Sequence, residues 1–186
     1  MSYTNLNFEL KLKTNNKNTN SFIMENSKTQ TVQATVMTPE ELLNHWQGHR
    51  GLTRRTIEAF PEEEFFTHSI GGMRTYAKLI QELLAIAGPG IKEIVEKNTG
   101  TFTEPEYPNK KEYYLKAWDE TTDIINENFA KIKPEDFQKQ IKLFGQYDGT
   151  ITSSIMYFID NEIHHRGQGY VYLRSLNIEP PFFYER

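Results

Sequence analysis

Apolar residues at helical spacing, interrupted at prolines and glycines, limit most strongly what this chain can fold into. Thr38-Pro39-Glu40-Glu41 has the form of a helix start: a threonine cap, a proline at the first helical position and a glutamate that can reach back to the cap. Leu42, Trp46, Thr53, Ile57 and Phe60 then recur on one face, and Pro61 stops the run. This predicts a first helix from Pro39 to about Phe60. A second is expected after Gly71-Gly72, with Tyr76, Leu79, Ile80, Leu83, Leu84 and Ile86 on its apolar side and its end at Gly88-Pro89-Gly90. A short helical piece, Ile91 to Lys97, should follow that break. The segment NTGTFTEPEYPN has loop composition and leads to a third helix, about Lys110 to Ile132, with Trp118 as a core anchor like Trp46. Pro134 to Gly149 reads as a helical turn and an irregular connection. A fourth helix is expected from about Thr150 to Leu176, and Pro180-Pro181 bars any continuation. No strand pair stands out. The expected fold is all-α, an antiparallel four-helix bundle over residues 37–186, and bundle cores are where such folds build ligand and metal sites.

Residues 1–36 differ in kind. LKTNNKNTNS and ENSKTQTVQ are rich in Asn, Thr, Lys and Gln without periodicity, which predicts a disordered tail. Met24 inside it is a second candidate start of translation. The chain has no cysteine, so disulfides and thiolate metal sites are excluded. Any metal would rest on His, Asp, Glu, Asn or water. A net charge of −4, with no basic helix face, argues against a nucleic-acid surface. No apolar run approaches the roughly 18 residues of a membrane span, and no signal-peptide pattern precedes the bundle. A cytoplasmic protein is the expectation.

The stretch Asp160-Asn161-Glu162-Ile163-His164-His165-Arg166-Gly167-Gln168 concentrates chemistry on the last helix. At about 100° per residue, Asn161 and His165 lie one above the other, on the side of Phe158, Tyr172 and Leu176. Glu162 shares a side with Ile155 and Leu173, whereas His164 points about 100° away from His165. On the second helix Glu82 lies among Leu79, Leu83 and Ile86, and on the first His49 falls inside the apolar stripe. A carboxylate on an apolar face is costly unless it is paired, protonated or bound to a cation. Bland alternatives stand beside each assignment. His49 can be a satisfied core histidine, Glu82 can pair with Arg74, Lys78 or an arginine from another helix, and Glu162 with Arg166 can be a helix ion pair.

IDNEIHHRGQGYVYLRSLNIEPP resembles the last helix of the DinB family, whose usual form there is close to H-E-x-H-H-R-G-Q, and SIGGMRTYAKLIQELLAIAG resembles its second helix. The resemblance implies a four-helix bundle, often dimeric, in which three histidines hold a divalent metal. One comes from the second helix and two from an H-x-x-x-H pair on the last. Thiol-dependent transferases and isomerases occur among the relatives. This chain carries Glu82 at the second-helix position and Asn161 at the first place of the pair, and it keeps only His165. The expectation is therefore a metal set of His49, Glu82 and His165 for zinc, nickel, iron or manganese. Asn161 would orient water or substrate, Glu162 and Arg166 would support the set, and His164 would transfer protons at the rim. The implied activity is metal-dependent transfer or hydrolysis of a small molecule by a homodimer. The alternative is a non-catalytic, dimeric ligand-binding or stress-response module that has lost the metal set.

Overall fold

The computed structural model describes residues 36–98 and 103–186. The tail expected over residues 1–36 falls outside them except for Val36, as does the middle of the NTGTFTEPEYPN loop. Within the compact unit Thr35–Arg186 the chain forms α1 (Pro39–Ala59), α2 (Glu62–Thr67), α3 (Tyr76–Glu96), α4 (Lys111–Phe129), β1 (Gln140–Leu143), β2 (Tyr147–Thr150) and α5 (Ile151–Ser175). The four long helices are the expected all-α bundle. The α1 cap is complete: Glu41 N–H donates to Thr38 Oγ1 over 3.1 Å and Thr38 N–H to Glu41 Oε2 over 2.7 Å. Thr150 caps α5 in the same way, its Oγ1 accepting from Ser153 N–H at 3.0 Å.

Two expectations need correction, and one helix was not foreseen. The second helix does not end at Gly88-Pro89-Gly90; α3 runs through Pro89 to Glu96 and stops at Lys97, which takes the left-handed conformation at φ 57°. The glycines beside Pro89 serve packing and do not end the helix: a Cβ at Gly90 would sit 2.5 Å from Phe158 Cζ, so the missing side chain lets α5 close on α3. The segment from Pro134 to Gly149 is not irregular. After a 3-10 turn at Pro134–Asp136, β1 and β2 pair antiparallel, Gln140 opposite Thr150 and Leu143 opposite Tyr147. Its short strands alternate too weakly to signal themselves. Glu62–Thr67, which raised no expectation, forms α2 and buries Phe65.

Each long helix packs on two of the others: α1 on α4 and α5, α3 on α4 and α5. α1 and α3 are therefore diagonal partners. The apolar core falls into two clusters stacked along the bundle. One gathers Trp46, Ile91, Ile125, Phe129, Ile155 and Phe158, and the other Phe60, Phe65, Tyr76, Trp118, Tyr172 and Leu173. Between them along α1, α4 and α5 runs a belt of buried polar groups, including His49, Arg50 and Thr53 of α1, Thr121 of α4, and Glu162, His165 and Arg166 of α5. The Cβ that alanine would add at Gly169 overlaps the Tyr76 ring. Gly169→Ala should accordingly cost about 1–3 kcal/mol by forcing α5 from α3. A urea midpoint within error of the unaltered protein would refute that.

Candidate functional site

The polar residues of α5 form two stripes one residue apart, and the stripes serve different neighbours. Asn161 and His165 face α3, with Gln168 bonded to His165 along the helix; Glu162 and Arg166 face α1. The separation follows from the 100° step of the helix and from α5 touching α1 on one side and α3 on the other.

On the α3 side, His165 Nε2 lies 3.0 Å from Glu82 Oε1, and Asn161 Nδ2 reaches the same oxygen at 3.5 Å. The other oxygen, Glu82 Oε2, is held by the Arg74 guanidinium. Arg74 also faces Glu104 at 3.8 Å. Burial pushes the Glu82 carboxyl up, but the hydrogen bonds from Arg74 and His165 outweigh it and leave the group below the ordinary carboxylate value. His165 Nδ1 is 3.2 Å from Gln168 Oε1, and the Gln168 amide is 3.1 Å from His164 Nε2. The result is a chain from Glu82 through His165 and Gln168 to the exposed His164. Glu82 also lines a pocket of about 460 Å³, walled by Ile86 of α3, Glu104, the hairpin residues Leu143, Phe144 and Tyr147, and Ser154 and Tyr157 of α5.

On the α1 side, Glu162 is only 1% exposed. Thr53 Oγ1 donates to its Oε1 over 2.6 Å, Arg50 Nη1 stands 3.7 Å from Oε2 and Arg166 Nη1 3.8 Å from Oε1. Burial raises the Glu162 carboxyl, and the two cations and the threonine only partly offset this. Arg50 is fastened to α4: its guanidinium lies 3.5 Å from the Trp118 ring centroid and donates to Trp118 O over 2.8 Å, while Trp118 Nε1 donates back to Arg50 O over 3.1 Å. Burial depresses Arg50 to about 10. His49 lies beside this group. Its Nδ1 accepts from Arg166 Nη2 at 2.9 Å, and its Nε2 faces Arg186 Nη1 at 3.0 Å. Burial, with the charges of Arg166, His45 and Arg186, pushes the imidazole down to about 3. A neutral ring offers one lone pair, so the two arginines compete for it.

The expected set of His49, Glu82 and His165 is thus only partly assembled. Glu82 and His165 meet; His49 is engaged by two arginines on the α1–α5 seam. Helical periodicity correctly turned all three inward, but α1 and α3 are diagonal, so His49 faces the other seam. Among the described residues no group of three or more His, Asp or Glu side chains is arranged to hold a metal ion. The donor chemistry agrees: Arg74 already holds one Glu82 oxygen and His165 the other, and an uncharged amide stands at Asn161 where a third imidazole would be needed. The residues present do not fit a resident three-ligand metal. Glu162 and Arg166 do interact as the helix ion pair considered from sequence, and they sit among the α1 residues. Arg50, Arg74, Gln168 and Ser154 were not assigned from sequence as site residues, although Arg50, four residues after Trp46, and Gln168, three after His165, continue the same faces.

Among the described residues no helix is long and apolar enough to cross a membrane. No curated protein matches the chain. Solved structures that share its fold include two DinB-like proteins. A DinB-like protein from Bacillus cereus ATCC 10987 aligns with a TM-score of 0.67 at 17% identity, over 80% of this chain and 99% of its own. A DinB-like protein from Bacillus subtilis aligns with a TM-score of 0.61 at 21% identity, over 78% of this chain and 99% of its own. The family model described as DinB family matches residues 24–186, and a match over so much of the sequence means that the chain belongs to the DinB family.

Proposed function

We propose that this chain is a small-molecule-binding member of its family that works without a resident metal at the bundle core. The observation that carries this reading is the Arg74–Glu82–His165 cluster at the edge of the pocket, in which each carboxylate oxygen already has a protein partner. The metal-dependent transferase or hydrolase implied by the family would need Glu82 and His165 to release each other and a further ligand to arrive. Two features support binding at this place: a pocket size usual for small-molecule sites, and a wall that combines apolar side chains with a few convergent polar groups.

Elemental analysis of untagged protein, expressed in metal-supplemented medium and freed of loose ions, tests the reading. The expected result is well below one divalent ion per chain and a melting temperature unchanged by chelator. The double variant Glu82→His, Asn161→His restores the three-histidine set with His165 and should gain about one ion per chain. One tightly held ion in the unaltered protein, lost in His165→Ala, would refute the proposal.

A further inference from the structure

The pocket beside Glu82 is chemically one-sided. Every ionisable side chain on its described lining other than tyrosine is a carboxylate: Glu82, Glu104 and Asp148. No lysine, arginine or histidine lines it among the described residues. The cations that compensate these acids approach from outside the lining, Arg74 to Glu82 and Glu104, Lys142 to Asp148. One guanidinium is therefore shared between two carboxylates, and its contact to Glu104 is the looser, at 3.8 Å. The negative potential reaches the opposite wall, where burial, Glu82 and Tyr147 together raise the Tyr157 hydroxyl above its ordinary value.

A second observation is independent of the acids. Ser154 lines the same pocket, is only 8% exposed, and makes no hydrogen bond to the described residues. Its neighbour Ser153 is fully engaged with the Thr150 cap. A nearly buried hydroxyl that opens on a cavity without a protein partner is a group kept for something that enters. Ile86, Leu143 and Phe144 supply the apolar remainder of the wall.

We propose that this pocket binds an organic amine in its protonated form, the ammonium placed toward Glu82 and Glu104, the body against Ile86, Leu143 and Phe144, and a polar atom of the ligand bonded to Ser154. The inference rests on the metal-free reading above and names the ligand class for the same site. Ammonium and carboxylate form charge-assisted hydrogen bonds, stronger than those between neutral groups, and the half-buried wall limits their screening. Arg74 stands in part for such a cation, so its removal leaves more unbalanced negative charge for the ligand to meet.

Calorimetric titration of the full chain with three matched probes tests this: tryptamine, the neutral tryptophol and the anionic indoleacetate. Tryptamine should bind about tenfold tighter than tryptophol, a difference of the size expected for one charge-assisted pair, with indoleacetate weakest. Arg74→Gln should tighten tryptamine about tenfold and leave tryptophol unchanged, whereas Glu104→Gln should weaken tryptamine alone. A purely structural Arg74 would lower stability without this split between probes, and that outcome overturns the proposal. Equal affinity for amine and alcohol, or no binding of tryptamine to folded protein, overturns the amine assignment and leaves the metal-free reading standing. About one tightly held ion per chain in the same preparation overturns that reading and the amine proposal with it.

Discussion

Glu162→Ala is expected to lose about 3–5 kcal/mol of stability, the largest effect of any single substitution considered for this protein. The carboxylate stands between two buried guanidiniums, Arg50 at 3.7 Å and Arg166 at 3.8 Å, and it accepts the Thr53 hydroxyl. Its removal leaves both cations in the interior facing each other across a void. The loss comes from the uncompensated charges and not from the intrinsic worth of the pair, because bringing three charges out of water is itself costly. The combined variant Arg50→Met, Glu162→Leu, Arg166→Met should therefore be markedly more stable than Glu162→Ala. Urea unfolding of both variants gives the comparison. A Glu162→Ala midpoint close to that of the unaltered protein would show that the carboxylate carries no such charge balance.

Acid should weaken the fold as the pH falls below about 6.5, through His49. His49 is held near pKa 3, against about 6.5 in the unfolded chain, by burial and by Arg166, His45 and Arg186. The native state therefore stays neutral at this position while the unfolded state takes up a proton. Stability contributed by the neutral ring is complete above about pH 6.5 and is lost as the pH falls toward 3. Between pH 6.5 and pH 5 the loss should be about 1 kcal/mol, and over the full window about 3 kcal/mol, both with solvent screening allowed for. Glu162, raised by burial, acts in the opposite sense: as the pH falls through its native value toward 4.5, the folded state binds a proton first and gains stability. Glu82, lowered by Arg74 and His165, adds a further loss below its unfolded value. His49→Asn keeps an acceptor for Arg166 and removes the titration. Urea midpoints from pH 7.5 to pH 5 should slope in the unaltered protein and stay flat in this variant; a flat profile in both would discard the assignment.

The sequence was most legible where the backbone chemistry is local. The Thr38–Glu41 box, Pro61 and the apolar stripes placed α1, α4 and α5 within a few residues. Pro89 misled because a proline between two glycines reads as a stop, whereas here the glycines allow Thr121 and Phe158 to close on the helix and tertiary packing carries it through. The hairpin was missed because four-residue strands with mixed exposure show no alternation to detect. For the site, the wheel gave the correct direction of Glu82, His165 and Glu162, and the Arg74–Glu82 pair was among the alternatives weighed. What periodicity does not contain is which helices become neighbours. His49 and Glu82 both point inward, yet they belong to diagonal helices and meet different faces of α5.

The two stripes of α5 also divide the chain's freedom to change. Asn161 and His165 answer to Glu82 of α3, with Gln168 behind His165; Glu162 and Arg166, one position further along, answer to α1 and the balance of buried charge. A substitution in the first stripe reaches the pocket through Glu82, which Asn161 and His165 hold, and leaves the α1 seam intact. A substitution in the second breaks the group of three interior charges, and that group also penalises any sliding of α1 against α5 by a turn. The polar belt thus works as an alignment key for the helices, and a pocket beside a fixed key can exchange its ligands without the bundle losing its register.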